Sequence, residues 1–369
     1  MSRRGPSASS DPADDSVPAS SPVTAAIVNY NGARDLQDCI ASVRSQTVAC
    51  SEILVVDNAS SDGSADLAAA EGLRVLRLPV NGGPGSARNA ALVAASTPLV
   101  LLVDNDVLLE RDCLETLAGA LRSREGIRVC QARTIFDARR DLVQCDGGYL
   151  HFLGAMILLN GHRTVSEVGR ETQEVDSFIT TAVLVERASA LAIGGFDEDF
   201  FWAWEDHDFA LRTRIAGGRC LGVGSAVAYH RGGTADLSLR PGGSYTARRF
   251  FLQCRNRWLV VLKAYPLRTL LVLLPAFALF EMLSFAYALR RGFAGEYLRA
   301  LGWVLRHAGG IRRKRAGIRA LARVDVRRLL RGGPYPFHPS LLSSHVQRRL
   351  AGALDAVLGL YWTMVRRIL

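Results

Sequence analysis

Between residues 23 and 106, short apolar runs alternate with helical stretches at close intervals, and this alternation constrains the fold more than any other feature. VTAAIVNYN reads as a strand ending in a polar turn, followed over residues 35–45 by an amphipathic helix with Leu36, Ile40 and Val43 on one face. SEILVVDNASSDGS is a second apolar strand closing on Asp57, Asn58 and a Ser/Asp/Gly turn. Residues 65–71 read as helix, LRVLRLP as a third strand, NGGPGSARNAALVAAS as a glycine loop opening a helix, and PLVLLVDND as the next strand. Strands separated by single helices call for an α/β fold built on a parallel sheet with right-handed crossovers. In such sheets ligands collect at the carboxyl ends of the strands, where the polar residues of this chain cluster.

Asp104 and Asp106 end the PLVLLVDND run two residues apart. A strand's alternating faces put residues i and i+2 on one side, so both carboxylates can point at one spot. Two hard oxygen ligands at the end of a buried strand suit a divalent cation carrying phosphate. The alternative is an Asp/Asn turn that ends the strand and solvates it.

WAWEDHDFALR, residues 202–212, is the second cluster, with Glu205, Asp206 and Asp208 among aromatic residues. Acids in a first helical turn are favoured by the helix dipole, which accounts for one carboxylate. Several acids directly after FFWAW call for more, because apolar neighbours raise a carboxylate's pKa and make it a better base. His230 closes the strand-like run CLGVGSAVAYH. A lone histidine there suits a structural role, and neutral imidazole also makes a good third ligand for a metal already held by carboxylate and phosphate. The glycines at 82, 83 and 85 let backbone N–H groups approach an anion. Position 88 is arginine rather than the third glycine of a dinucleotide fingerprint, and no GK[ST] ending follows, so NAD-dependent oxidoreductase and P-loop readings fail.

The remaining length is organised by composition. At 369 residues the chain is long enough for one large domain or two moderate ones. Residues 1–22 are rich in Ser, Pro, Ala and Asp without an apolar core, a disordered leader rather than a signal peptide. Composition shifts beyond residue 240, dividing a domain at 23–240 from a basic helical region at 241–369. The net charge of +10 is concentrated there as arginine beside long apolar runs, which suits an anionic membrane surface; no recognition motif points to nucleic acid. Residues 269–289 are long enough to span a bilayer and carry one acid, Glu281. Arginines flank both ends, so the positive-inside rule favours neither orientation. The expectation is a hairpin broken at Pro275 or helices lying in the cytoplasmic interface, with residues 351–369 as another interfacial helix. A buried helical subdomain is the alternative. Seven cysteines without CxxC spacing read as reduced core residues rather than a disulfide frame or zinc site.

Taken in order, NYNG at 29–32, VVDNASSDGS at 55–64, NGGPGSARN at 81–89, DND at 104–106, GGFDEDFFWAWEDHDFALR at 194–212 and His230 resemble family 2 glycosyltransferases of GT-A fold. The similarity covers residues 23–235 and is strongest to bacterial rhamnosyltransferase-like members that build cell-wall and surface polysaccharides. It implies a Rossmann-like, mostly parallel central sheet flanked by helices, and an inverting transfer from a nucleotide-diphosphate-sugar donor to a lipid-linked or glycan acceptor hydroxyl. The donor implied by the subgroup is dTDP-rhamnose, with UDP-hexoses as the alternative. Asn29, Tyr30 and Asn31 would border the nucleotide and Asp57 the base. Asn58, Asn81, Gly82, Gly83, Arg88, Asn89 and Trp204 would line the donor site, and Asp104 would face the ribose or sugar. Mg²⁺ or Mn²⁺ would be held by Asp106, with Asp104 and His230 completing the ligand set. Asp206 matches the catalytic base, supported by Glu205. Such an enzyme would work at the cytoplasmic face of the bacterial plasma membrane. A non-catalytic, membrane-bound nucleotide-sugar-binding scaffold is the competing function; oligomeric state is left open.

Overall fold

The computed structural model describes residues 21–232, 246–337, 342 and 344–369. All but the last two residues of the expected leader, and the expected boundary at 240, lie outside the described residues. The first half of the sheet follows the alternation: β1 (Val23–Asn29), α1 (Leu36–Arg44), β2 (Glu52–Asp57), α2 (Ser64–Ala70), β3 (Arg74–Arg77), α3 (Pro84–Ala94) and β4 (Leu99–Asp104). These four strands are parallel in the order β3-β2-β1-β4. The chain therefore moves outward from β1 to β3 and then returns to the other side of β1. The reversal leaves a crevice at the carboxyl ends of β1 and β4, the usual ligand position in an open α/β sheet.

The rest of the domain adds β5 (Val107–Leu109), α4 (Cys113–Arg122), β6 (Ile127–Phe136), β7 (Arg139–Cys145), β8 (Gly148–His151), β9 (Met156–Leu158), β10 (Thr172–Val175), β11 (Ala182–Glu186), α5 (Arg187–Ala192), α6 (Glu205–Ile215) and β12 (Arg219–His230). β11 enters antiparallel between β4 and β6, while β12 runs parallel to β6 and antiparallel to β10. The outcome is a mixed ten-stranded sheet, parallel where the polar strand ends lie.

Apart from Thr24 and their polar ends at Asn29 and Asp104, β1 and β4 are apolar because both faces are covered. Ala25, Ile27, Leu101 and Val103 pack with α1 and α4; Ala26, Val28, Val100 and Leu102 pack with Ala87, Ala91 and Leu92 of α3. All seven cysteines are free thiols.

Beyond residue 246 come α7 (Ala247–Ala264), α8 (Leu267–Arg291), α9 (Ala294–Arg306), α10 (Ala308–Leu321), β13 (Leu330–Arg331) and α11 (His345–Val365). The hairpin expected at Pro275 is not formed, since α8 runs through that proline as one helix of 25 residues. Leu273, Ala276 and Phe277 on either side of it are buried in a common core and hold both halves in line. The helices are also not a separate layer. Leu259, Phe277 and Leu358 share that core with Leu150, Phe152, Phe200 and Leu211, and β13 extends β8 in a second, three-stranded sheet.

Candidate active site

β4 ends at Asp104, and Asn105 and Asp106 form a turn into β5. Strand alternation therefore does not bring the two carboxylates together; the turn reading describes the backbone. Asn105 fixes that turn: its N–H donates to the Val28 carbonyl at 3.1 Å, and its Nδ2 donates to Asn29 Oδ1 at 2.8 Å. Gly32 is required beside it, because a Cβ there would lie 2.0 Å from Asn105 Nδ2.

The turn aims Asp106 at the end of β12, where its Oδ2 lies 3.4 Å from His230 Nε2. His230 Nδ1 sits 2.8 Å from Gln144 Oε1, a contact that holds the ring with Nε2 toward Asp106. The Arg231 N–H donates to the Asp106 carbonyl at 2.9 Å, and its side chain pairs with Asp35, Asp38 and Asp137. A carboxylate oxygen and an imidazole nitrogen this close suit two ligands of one divalent ion, with diphosphate and water oxygens left to complete the shell. The described residues contain no cluster of three or more His, Cys, Asp or Glu able to hold an ion alone. Asp104, expected as a further ligand, has its Oδ1 engaged by Arg88 Nη2 at 2.8 Å.

Arg88, expected to line the donor site, is buried on α3. Its Nη1 donates to Glu205 Oε1 at 3.0 Å, and its Nη2 also donates to the Thr180 carbonyl at 3.2 Å. One guanidinium thus joins the end of β4 to the first residue of α6. Arg88 Nε, Thr180 Oγ1 and Glu205 Oε2 are buried without a partner, so this polar cluster holds capacity for a ligand.

Glu205 and Asp206 head α6, where the helix dipole and a backbone N–H meet them: the His207 N–H donates to Asp206 Oδ1 at 2.7 Å. Burial pushes both carboxyl groups above the ordinary range, and Arg88 opposes it. The charge of the adjacent Asp206 raises Glu205 further. His207 is structural: it is buried with Nδ1 2.6 Å from Ser177 Oγ, and burial lowers its pKa to about 4.

The approach to α6 is strained. Phe201, Ala203 and Trp204 have φ of 59°, 60° and 75°, the left-handed region that costs non-glycine residues about 1–3 kcal/mol each. Asn256 of α7 restrains them, with its Nδ2 within hydrogen-bonding distance of the carbonyls of Phe200 (3.1 Å), Trp202 (2.9 Å) and Ala203 (2.7 Å). On the other side, Gly83 has φ +86°, and a Cβ there would stand 1.9 Å from the Phe201 carbonyl oxygen.

The other expected residues fall into two groups. Asn29 and Asp57 are buried and bonded together at 2.8 Å, with Asn29 also reaching Ser64, so they brace β1 against β2. Asn58 is buried too, donating to Asn81 Oδ1 at 2.9 Å and accepting from Gly82 N–H at 3.1 Å, which shapes the glycine loop. Asn89 turns away to Phe196 and Glu198. Tyr30 and Asn31, by contrast, are exposed at the crevice edge, where Asn31 has φ 50° and its Oδ1 accepts from the Ser61 N–H. Trp204 is half-buried at the N-cap of α6.

Comparison with known proteins agrees with this architecture. Residues 24–170 match the family described as glycosyl transferase family 2. A pre-mycofactocin glycosyltransferase of Mycobacterium tuberculosis is 31% identical over 215 residues, 56% of this chain and 42% of that protein. The succinoglycan biosynthesis protein ExoO of Rhizobium meliloti is 35% identical over 109 residues, 29% of this chain and 30% of its own. This chain thus spans less than half the length of these relatives. A crystal structure of GalNAc-T7 with UDP, GalNAc and Mn²⁺ superposes with a TM-score of 0.54 at 15% identity, over 67% of this chain and 48% of that one, a likeness of fold. Over residues 24–170 the chain is thus similar to family 2 glycosyltransferases, and its mixed α/β fold is like that of the GalNAc-T7 structure.

Proposed function

We propose that the protein is an inverting, metal-dependent glycosyltransferase that moves a sugar from a nucleotide-diphosphate-sugar to a hydroxyl of a lipid-linked or glycan acceptor in surface-polysaccharide assembly. The observation that carries this reading is the junction at the β1/β4 crevice. There Arg88 bridges Asp104 and Glu205, and Asp206 stands beside Glu205 with its pKa raised by burial. Of the two raised carboxyl groups Glu205 is tied to Arg88, which leaves Asp206 as a single base and suits a single displacement. Asp206 takes the proton of the acceptor hydroxyl as that oxygen bonds to the anomeric carbon. The bond from the anomeric carbon to the diphosphate oxygen breaks on the opposite face, and the diphosphate leaves with the electron pair. Glu205, held by Arg88, keeps the head of α6 in register with the end of β4. Asp106 and His230 are the residues that would hold Mg²⁺ or Mn²⁺, which when bound neutralises charge on the leaving diphosphate. Tyr30 and Asn31, exposed at the crevice edge, border the nucleotide, and dTDP-rhamnose is the preferred donor.

The C-terminal helices would seat the enzyme on an anionic membrane without crossing it. One face of α8 is packed in the core, and its Glu281 pairs with the buried Arg257. Its opposite face exposes Leu267, Leu271, Leu274 and Met282, and α11 likewise exposes Leu350, Leu360 and Met364. Residues 246–369 carry 23 Lys and Arg against 4 Asp and Glu, which matches an apolar surface ringed by cations to anionic lipid.

A thermal-shift screen of nucleotide sugars with Mn²⁺ present tests the donor assignment, since a ligand at 100 times its Kd adds about 2.7 kcal/mol of stability. dTDP-rhamnose is expected to raise the melting temperature most. Absence of a shift with every nucleotide sugar would overturn the reading.

A further inference from the structure

A pocket lies beside the active-site loop, lined by Phe201, Phe251 and Leu252 together with Arg248, Arg255, Glu296 and Arg299. Three guanidinium groups thus face one carboxylate, and Glu296 is already engaged by Arg299 at 2.9 Å. The cations are held in place by aromatic rings. Arg255 and Arg299 lie 5.5 and 5.1 Å from the centroid of Phe251, and Arg248 lies 5.1 Å from that of Phe201.

Arg255 is the informative member. It is buried, yet its partners are neutral: Asn256 Oδ1 at 2.8 Å and the Phe200 carbonyl at 2.6 Å. Among the described residues no carboxylate forms an ion pair with Arg255 or with Arg248. Burial pulls the pKa of Arg255 down to about 10, with Asp199 and Asp197 opposing from farther away. A buried cation whose counter-charges stand outside ion-pair distance is unfavourable, and an anionic ligand would supply a closer one.

The surroundings narrow the ligand class. Phe201 belongs to the strained loop that leads within five residues to Asp206. The same lining includes the apolar Phe251 and Leu252 of α7 beside Arg299 of α9. Guanidinium groups bind phosphate oxygens through paired N–H donors, so the pocket offers a phosphoryl site with apolar surface beside it. We propose that the Arg248–Arg255–Arg299 pocket binds a phosphorylated acceptor by its phosphate or diphosphate and so presents the acceptor hydroxyl to the base. Its role as an acceptor site rests on the transferase reading above.

The test is calorimetric titration of the full chain with farnesyl diphosphate and with inorganic pyrophosphate, in EDTA to suppress metal-dependent diphosphate binding at the crevice. Arg248 and Arg299 are exposed, so R248Q/R299Q is expected to fold normally, which its melting curve checks. The double variant should bind both probes about 10-fold more weakly or worse, the scale of a lost charge-assisted hydrogen bond. Tighter binding of farnesyl diphosphate than of pyrophosphate assigns the site to a lipid-linked acceptor, and equal binding assigns it to a soluble phosphorylated one. Wild-type affinity in the double variant, or no binding of either probe to the native chain, overturns the proposal. A parallel dTDP-rhamnose titration with Mn²⁺ separates the two claims. Arginine-dependent diphosphate binding without any donor binding would leave the pocket standing and remove the transferase reading.

Discussion

Arg88 and Glu205, 117 residues apart in the chain, are joined at 3.0 Å in the buried floor of the site. The same guanidinium holds Asp104 at 2.8 Å, so one side chain fixes the distance between the end of β4 and the head of α6. Breaking a buried charge pair by removing one partner costs about 3–5 kcal/mol, because the other charge is left uncompensated. Arg88→Ala is therefore expected to lose stability on that scale in urea unfolding. Arg88→Lys should recover little of it, since an ammonium cannot reproduce the two-pronged contact. Native-like unfolding of the alanine variant would contradict this role.

Asn256 acts at one remove from the chemistry, as a positioning residue. Its amide is placed to satisfy carbonyls of the loop that carries three left-handed residues into Glu205. Asn256→Ala should let that loop relax and displace Asp206, lowering kcat on the order of 10–10²-fold while donor KM stays unchanged. A matched rise in KM, or an unchanged kcat, would point to a merely structural contact.

Gln144 orients His230 through its contact with Nδ1, with Nε2 facing Asp106. Outer partners of this kind alter metal affinity by about 10–100-fold. Gln144→Leu is accordingly expected to raise the Mn²⁺ concentration needed for donor binding, and Asp106→Ala to abolish the metal requirement together with most donor affinity. Donor binding that is identical with Mn²⁺ and with EDTA in the native chain would remove the metal from the account.

The pH dependence has a definite sign. Asp206 must be ionised to accept a proton, and burial raises its pKa, so kcat falls as pH drops through that elevated value. The acid limb should lie above pH ~3.9, the value of a free aspartate. The stability contribution of the pair runs the other way. Carboxyl groups with raised pKa in the folded state bind protons more tightly there than in the unfolded chain, so acidification through this window favours folding at these two positions. Loss of rate without loss of fold on moderate acidification is the combined expectation, read by paired rate and unfolding measurements.

The strands and helices up to Asp104 were legible because β1 and β4 are covered on both faces, which leaves continuous apolar runs. The identity of the acids at the site was legible for a different reason: carboxylates beside apolar residues stand out. How they are held was not. Alternation along β4 suggested that Asp104 and Asp106 share a face, whereas the turn at Asn105 sends one to Arg88 and the other to His230. Arg88 was flagged from its glycine loop, but its partners lie 16 and 117 residues away, beyond any local pattern. Gln144 sits in a stretch without clear periodicity, and Asn256 beyond the compositional shift at 240, so neither carried a local signal. Pro275 misled because its helix is held by tertiary burial rather than by propensity.

The central claim is that Asp206 is the base of a transferase acting on a nucleotide sugar, and substitution of that carboxylate by its neutral isostere tests it most directly. Donor binding by thermal shift and nucleoside-diphosphate release should be measured side by side for the native chain and Asp206→Asn, with dTDP-rhamnose and Mn²⁺. Donor binding is expected to be unchanged and the rate reduced on the order of 10²–10⁴-fold. An Asp206→Asn protein that binds the donor and releases nucleoside diphosphate at the native rate would contradict it.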